Sequence, residues 1–192
     1  MSQVEKILPH IATIHDLDKG LEASSEDGSP TVLRLAEWTI RMAARCVVID
    51  PKTKRVAMQA LDTEGVTKIP GGGLQYNSLS TEGEDFEKGV VREIAEEIGV
   101  NANSMRLEPL GMVIEYRTEW QLSQISYCYA GYISEEESYD APLEEGSRLV
   151  WADTVSHALD LVNANDTDTY DKRFMKLRDK AILEHYQSTI EI

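Results

Sequence analysis

The 192-residue chain predicts an α+β fold, and three features of the sequence lead to this prediction. Short apolar runs separated by turn signals are typical of strands. One amphipathic stretch with helical spacing follows a run of glycines in the middle of these strands, and two further helical stretches follow the last strand. Strands and helices in this order are typical of an α+β domain. The length suits a single domain over residues 1–192 with a substantial core.

Local signals justify each element in chain order. Residues 1–40 are weakly patterned and are interpreted as an N-terminal extension, in which 22–30 is a polar loop and 32–39 a strand suited to pair in a hairpin with what precedes it. Residues 41–192 form the core of the predicted domain and end in a long helix. Its predicted strands are 41–50 and 55–60, which form a hairpin around Asp50-Pro51-Lys52-Thr53, then 67–70, 107–116, 124–133 and 148–151. Its predicted helices are 84–98, which ends at Gly99, then 155–162 and 170–186.

Composition and charge exclude several classes of protein. Hydrophobic residues make up 42% and charged residues 28% of the chain, which indicates a globular protein rather than a disordered one. The net charge of −15 argues against binding to a nucleic-acid polymer or an anionic membrane. No apolar run approaches the length of a membrane span, and the N-terminus lacks the pattern of a signal peptide, so we expect a cytoplasmic protein. Cys46 and Cys128 lie in apolar strand-like segments and are predicted to be buried free thiols.

The first predicted helix carries three carboxylates on one face. At about 100° per residue, Glu93, Glu96 and Glu97 fall within one third of the helix circumference, while valines and isoleucines form the neighbouring apolar face. Like charges on adjacent turns destabilise a helix by a few tenths of a kcal/mol per pair, and a bound cation offsets that cost. Hard divalent ions prefer carboxylate and carbonyl oxygens, and the preceding glycines can supply a carbonyl. The alternative is an acidic face exposed to solvent.

The run Arg92-Glu93-Ile94-Ala95-Glu96-Glu97-Ile98-Gly99-Val100 closely resembles the second half of the Nudix box, with Glu84 separated from Arg92 by the expected seven residues. The first half departs from the family pattern. Ser78 stands where the pattern has glycine, and eleven residues separate Gly72 from Glu84. We interpret the difference as a six-residue insertion in the polar loop between the glycines and the helix, where extra length costs little.

The Nudix resemblance implies an α/β/α sandwich with a mixed central sheet and a metal-dependent hydrolase. Such an enzyme cleaves a pyrophosphate bond in a nucleoside diphosphate linked to another group, such as a modified nucleoside triphosphate, ADP-ribose or a dinucleotide. A small nucleotide is then the partner, and Mg²⁺ or Mn²⁺ the cofactor. Glu84 would stabilise the site or bind metal from the start of the helix. A carbonyl of Gly71 or Gly72 would complete the ligand shell.

The resemblance also assigns roles to the matching residues of the helix. Glu96 and Glu97 would ligate the metal, and Glu93 would ligate a second ion or act as the base. Arg92 would hold these acidic residues in place. Family members commonly recruit one more acid from outside the box. One candidate is Glu115 at the end of a strand, and the other is Glu144 or Glu145 in an acidic loop. The alternative for each is an acidic residue on the surface without a role in metal binding.

Basic and aromatic residues supply candidates for substrate binding. Arg41 and Arg45 flank the start of an apolar strand and suit a substrate phosphate, with ion pairs to nearby acids as the alternative. Trp120 is a candidate for stacking on a base, as are two tyrosines whose alternative role is packing in the core. Tyr76 and Asn77 lie in the insertion, which we expect to border the substrate cleft. The two tyrosines are Tyr116 and Tyr127.

The last predicted helix carries a cluster of basic residues that we predict to be exposed to solvent. They are Lys172, Arg173, Lys176, Arg178 and Lys180.

Two other functions compete with the hydrolase. A catalytically weak Nudix module that senses a nucleotide would usually have a degenerate box, whereas the carboxylates here are complete. Isoprenoid isomerisation on the same fold would need a Cys or further His at the site, and the sequence places neither. The segment from Gly111 to Arg117 is similar to Nudix proteins labelled 8-oxo-dGTP diphosphatase-like. Family members are often dimers, and residues 1–40 are a candidate interface for a homodimer.

Overall fold

The computed structural model describes residues 9–16, 22–24, 38–75, 84–102, 104–134, 139 and 141–190. Within these ranges the strands are β1 (His10–His15), β2 (Glu22–Ser24), β3 (Thr39–Ile49), β4 (Val56–Leu61), β5 (Val66–Lys68), β6 (Arg106–Arg117), β7 (Leu122–Tyr132) and β8 (Ser147–Ala152). The helices are α1 (Phe86–Ile98), α2 (Val155–Ala164) and α3 (Tyr170–Ile190), and a 3₁₀ turn spans Thr118–Trp120. None of the described helices is long and apolar enough to cross a membrane.

The strands form one mixed sheet in the order β2-β1-β6-β7-β3-β4-β5, with β8 paired to β4. The pairs β1–β6 and β3–β7 are parallel, and the others are antiparallel. β3 pairs with β7 along its whole length, but with β4 only at Val48–Ala57 and Ile49–Val56. The sheet therefore splits beside the first half of β3, and this split positions the candidate site.

Helices cover both faces of the sheet. Even-numbered residues of β3 such as Cys46 and Val48 pack with Ile94 of α1, while odd-numbered residues such as Val47 pack with Phe174 of α3. This division follows from the alternation of side chains along a strand. The α+β class and the sandwich with a mixed sheet are thus confirmed, as is the burial of both free cysteines.

α1 begins and ends on local signals. The Asp85 carboxylate accepts hydrogen bonds from the backbone N–H groups of Glu87 and Lys88 at 3.0 and 3.2 Å, which caps the first turn. Gly99 takes the left-handed conformation with φ of 72°, and its N–H bonds to the carbonyl of Ala95. Glycine adopts this conformation at little cost, so the predicted end of the helix is confirmed.

The N-terminal extension differs from the prediction. Residues 22–24, predicted as loop, form β2 and pair antiparallel with β1. β1 itself lies parallel to β6, and Ile11 to Ile14 are all buried, including Thr13. A strand that is buried on both faces shows no alternation of polar and apolar residues, so its sequence carried no strand signal. Of the strand predicted over 32–39, positions 32–37 lie outside the described residues.

Replacing the cap of α1 tests how far the helix depends on it. We expect Asp85→Ala to lower the free energy of unfolding by about 1 kcal/mol, because two backbone N–H groups lose their acceptor. Chemical denaturation of both proteins measures the difference. Asp160→Ala, at an exposed position of α2, is the control and should leave stability unchanged or slightly higher. Equal stability of Asp85→Ala and the wild type would show that tertiary packing alone fixes the start of α1.

Candidate active site

The glycine segment lies in the split of the sheet and bonds to β3. Gly72 accepts from the N–H of Ala44 at 3.0 Å, and similar bonds flank it on either side. Gly71 has φ of 136°, and a Cβ there would lie 2.2 Å from the carbonyl oxygen of Ala44. A Cβ on Gly72 would lie 2.3 Å from the carboxylate of Glu93. Position 71 therefore requires glycine, because its φ is positive and a Cβ would meet backbone, whereas a Cβ at position 72 would force the Glu93 carboxylate to move.

Arg92 is the centre of the acidic cluster. Its Nη1 donates to Glu93 and to Glu96, each at 2.8 Å. Its Nε and Nη2 donate to the two carboxylate oxygens of Glu84 at 2.9 and 3.0 Å, and Nη2 also reaches the carbonyl of Gly73 at 3.2 Å. The bidentate bond to Arg92 holds the pKa of Glu84 below its usual range. One guanidinium thus ties the start of the helix, two of its acids and the glycine segment together.

The ends of the insertion meet each other. The N–H of Glu84 donates to the carbonyl of Gln75 at 2.9 Å, and the N–H of Gln75 donates to the carboxylate of Glu84 at 2.9 Å. The chain therefore leaves the glycine segment at Gln75 and returns to the same place at Glu84. This explains how extra residues are accommodated without moving α1. Tyr76 and Asn77, which we predicted to reach the substrate, lie outside the described residues.

Glu97 is buried and pairs with a buried lysine. The Nζ of Lys68 lies 2.6 Å from one oxygen of Glu97, and the N–H of Gly71 donates to the other oxygen at 2.6 Å. Burial lowers the pKa of Lys68, while the charge of Glu97 opposes that shift. Lys68 thereby connects the end of β5 to the helix at the point where the glycine segment begins.

Glu93 is held in a less favourable environment. Burial raises its pKa, and the negative charge of Glu97 raises it further, while Arg92 acts in the opposite direction. Carboxylates and a nearby carbonyl are the donors that a hard divalent cation prefers, and such an ion would relieve this repulsion, so the donor set fits one. In the described part of the chain, no three acidic, His or Cys side chains converge as a metal cage, and Arg92 and Lys68 occupy the carboxylate oxygens.

A cavity of about 600 Å³ opens at the split in the sheet. Residues from α1 and α3, which cover opposite faces, both line it, because the missing strand pairs leave a passage between the faces. Acidic and basic side chains both line it. The acids are Glu64, Glu93, Glu96, Glu97, Glu144 and Asp171, and the bases are Arg41, Arg45, Lys68, Arg92, Arg117 and Arg178.

Both arginines predicted to bind the substrate line this cavity, but they differ in their exposure to solvent. Arg41 is exposed and lies against Gly73. Arg45 is only 5% exposed, lies on the face of β3 that α3 covers, and makes no hydrogen bond within the described residues. Burial lowers its pKa to about 10, and the neighbouring charge of Arg178 contributes to the shift. The predicted exposure of the basic cluster on α3 is wrong for Arg178, which is buried because it faces the sheet.

The structure places the acidic candidates from outside the helix in different environments. Glu115 is fully buried, and its oxygens accept from Arg117 at 2.7 Å and from Gln124. It does not line the cavity, so the structure does not bring it together with the carboxylates of α1. Glu144 is exposed and does line the cavity, and its N–H donates to the carbonyl of Glu96 at 2.7 Å. Glu145 is exposed beside it.

The aromatic candidates lie away from the carboxylates. Trp120 is half exposed, packs edge-on against Tyr170 at 5.2 Å between centroids, and has the Arg117 guanidinium 5.3 Å from its ring. Tyr116 is buried, and Tyr127 packs on Phe86 at the base of α1. The packing alternative therefore describes both tyrosines.

The sequence profile of the NUDIX domain matches residues 39–176, which is well over half of the chain. The chain belongs to the Nudix family. It is a Nudix pyrophosphohydrolase, as its sequence predicted, and Nudix hydrolases generally use divalent metals and act on small nucleotides. No curated protein matches the sequence.

Solved Nudix structures resemble this protein in fold. The E. coli ORF135 protein is 15% identical, with a TM-score of 0.51 over 80% of this chain and 92% of its own. A NUDIX hydrolase from Nitrosomonas europaea is 14% identical, with a TM-score of 0.51 over 73% and 89%. The MutT NUDIX hydrolase from Burkholderia pseudomallei is 20% identical, with a TM-score of 0.47 over 73% and 98%. At these identities the first two support the Nudix fold alone.

Several residues of the Nudix cavity escaped the sequence analysis. Lys68 is a single lysine in a short strand, and Arg117 stood in a predicted connection. Gln124 and Asp171 carried no motif. A usable signal existed only for Lys68, because a lysine two residues before the Pro-Gly-Gly-Gly run must enter the site together with the glycines.

The two close glycines predict a matched pair of variants. Gly72→Ala should keep the fold but lower kcat at least about tenfold, because its Cβ displaces the end of the flexible Glu93 side chain. Gly71→Ala should instead lower the melting temperature, since its Cβ meets rigid backbone. Gly65→Ala is the control, with φ of 62° but open space around its Cβ. Thermal unfolding and turnover are measured for all three. Full activity of Gly72→Ala would show that Glu93 has no fixed position in catalysis.

The raised pKa of Glu93 predicts a pH effect on stability. The folded protein holds this proton more tightly than the unfolded chain, so stability is lost as the pH rises through the folded pKa. In EDTA at neutral pH, Glu93→Gln should therefore melt at a higher temperature than the wild type, and the difference should vanish toward pH of about 4. Thermal melts over a pH series measure this, with the exposed Glu145→Gln as control. A lower melting temperature at every pH would mean that the bond to Arg92 outweighs burial.

Proposed function

We propose that this protein is a metal-dependent Nudix hydrolase that cleaves the pyrophosphate bond of a nucleoside diphosphate-linked substrate, such as a nucleoside triphosphate, ADP-ribose or a dinucleotide. One observation carries the proposal: a single cavity has the acidic face of α1 on one side and buried arginines on the other. Such a site can hold a metal and a polyphosphate next to each other.

The metal would be Mg²⁺ or Mn²⁺, held by Glu93, Glu96 and Glu97 with a glycine carbonyl. The carbonyl of Gly72 already accepts from the N–H of Ala44. Within the described residues the carbonyl of Gly71 has only the Nζ of Lys68 as a donor, at 3.5 Å, so Gly71 is the better candidate for the ligand. When bound, the ion supplies charge neutralisation at the phosphates and activates a water for attack on phosphorus. Lys68 would then leave the oxygen of Glu97 that it now occupies.

The remaining roles follow from position. Arg92 orients Glu93 and Glu96, while burial and the charge of Glu97 raise the pKa of Glu93, which makes its carboxylate a stronger base than an ordinary glutamate. Of the acids predicted outside the helix, Glu144 lines the cavity and Glu115 does not, so Glu144 is the better candidate for an additional ligand. A cytoplasmic location and a homodimer stay predictions.

Substitution of Glu96 tests metal dependence with least risk to the fold. Its carboxylate is half exposed and, among the described residues, bonds to Arg92 alone, whereas loss of Glu97 would leave Lys68 buried without a counterion. We expect Glu96→Gln to lower kcat by about 10²- to 10³-fold and weaken activation by Mg²⁺, with an unchanged melting temperature. A nucleotide panel with Mg²⁺ or Mn²⁺ is assayed for released phosphate, pyrophosphate and nucleoside monophosphate.

EDTA treatment and Glu145→Gln are the controls for this assay. Activity that survives exhaustive EDTA would contradict metal dependence. Tight nucleotide binding without turnover of any compound would instead identify the sensor module.

A further inference from the structure

Three arginines from three different elements come together beyond the carboxylates of α1. Arg45 extends from β3, Arg117 ends β6, and Arg178 lies in the middle of α3. They are 5%, 3% and 2% exposed, and all three line the cavity. Arginine is rarely buried to this extent unless it is paired.

Each of these guanidiniums keeps a buried nitrogen without a hydrogen-bond acceptor among the described residues. The atoms are Nε of Arg45, Nε of Arg117 and Nη2 of Arg178. A buried donor without an acceptor costs free energy, and a charged one costs more. Three such donors on residues that line one cavity indicate an anionic ligand that the described residues do not supply.

Carboxylates hold two of the three arginines in position. Arg117 bonds to Glu115 at 2.7 Å and to Asp171. Arg178 bonds to Asp179 at 2.8 Å and lies 3.9 Å from Glu115. Glu115 thus acts as a brace between both guanidiniums, which explains its complete burial. These bonds hold the arginines in place and leave their other donors free.

Arg45 is different because no described carboxylate lies within ion-pair distance of it. The charges of Asp179, Glu97 and Glu115 act on Arg45 from further away and oppose the effects of burial and of Arg178. Its Nε still has no acceptor among the described residues. Arg45 lines the same cavity as the proposed metal ligands, where a polyphosphate held by the metal would be able to contact it.

We infer that Arg45, Arg117 and Arg178 form a subsite for the unesterified terminal phosphate of the substrate, an assignment that rests on the proposed function. The rings of Trp120 and Phe174 lie 5.3 and 5.0 Å from the Arg117 guanidinium. In the proposed subsite these rings limit how far a substrate extends past Arg117, so the bound phosphate is not esterified to a second nucleoside or sugar. The substrate class is then nucleoside di- and triphosphates rather than ADP-ribose or dinucleotides.

Inorganic pyrophosphate binding in EDTA tests the subsite without turnover. Calorimetry should show that Arg45→Met weakens pyrophosphate binding by about 10- to 100-fold, the effect of losing charged hydrogen bonds. The same variant should melt at an equal or higher temperature than the wild type, because the buried Nε of Arg45 has no acceptor among the described residues. Arg45→Lys should retain part of the affinity. Arg148→Met, at an exposed arginine paired with Asp62 outside the cavity, should bind as the wild type does.

Steady-state kinetics then tests whether the subsite binds the terminal phosphate of the substrate. Arg45→Met should raise KM for a nucleoside triphosphate by at least about tenfold more than for ADP-ribose. Unchanged pyrophosphate binding, or a clearly lower melting temperature of Arg45→Met, would overturn the subsite, and an equal rise in both KM values would overturn its assignment to a terminal phosphate. If the wild type binds pyrophosphate through Arg45 but hydrolyses no nucleotide, the proposed function fails and the anion subsite stands.

Discussion

The site depends on one guanidinium among several carboxylates. Arg92 donates to Glu84, Glu93 and Glu96 and to the carbonyl of Gly73, so it compensates charges that would otherwise repel each other. Lysine, with a single point of charge, could not span the same acceptors. Because these contacts join the start of α1 to the glycine segment, the acids keep a fixed relation to the chain that lies opposite them. The insertion between Gln75 and Glu84 leaves this relation untouched, since its two ends bond to each other.

The second constraint is the incomplete pairing of β3. β4 turns away after two residue pairs, and Pro70 to Leu74 occupy the vacated edge. Backbone amides there are satisfied by the glycine segment instead of a strand, which brings that segment within contact distance of α1. Only glycine tolerates the approach at 71, and a Cβ at 72 would displace the Glu93 carboxylate. The same split lets side chains from both faces of the sheet reach one cavity, so the topology of the sheet produces the site.

Charge is distributed unevenly in this acidic protein. The chain carries a net charge of −15, yet six of its basic side chains line one cavity. Several of them are buried, and the Nε of Arg45 has no acceptor among the described residues. Keeping cations in this way costs stability in the absence of a ligand, which is typical of a site shaped for an anion rather than for the folded state alone. The acids of α1 and the buried arginines of β3, β6 and α3 suit the two ends of that anion, a metal-bound diphosphate and its terminal oxygens.

The sequence by itself determined the fold class, nearly all elements after residue 40 and the acidic face of α1, because these follow from local periodicity, turn residues and the spacing of Arg92 and its glutamates. It missed β1, whose burial on both faces removes any alternation. It also predicted Arg178 as exposed, whereas the structure buries it, and it named Glu115 as a candidate ligand without predicting the contacts of Glu115 with Arg117 and Arg178. Only the tertiary structure decided these, since β3, β6 and α3 are distant in sequence and meet through long-range packing. Burial, which makes an arginine a binding group rather than a solubilising one, is a property of that packing and leaves no mark on the local sequence.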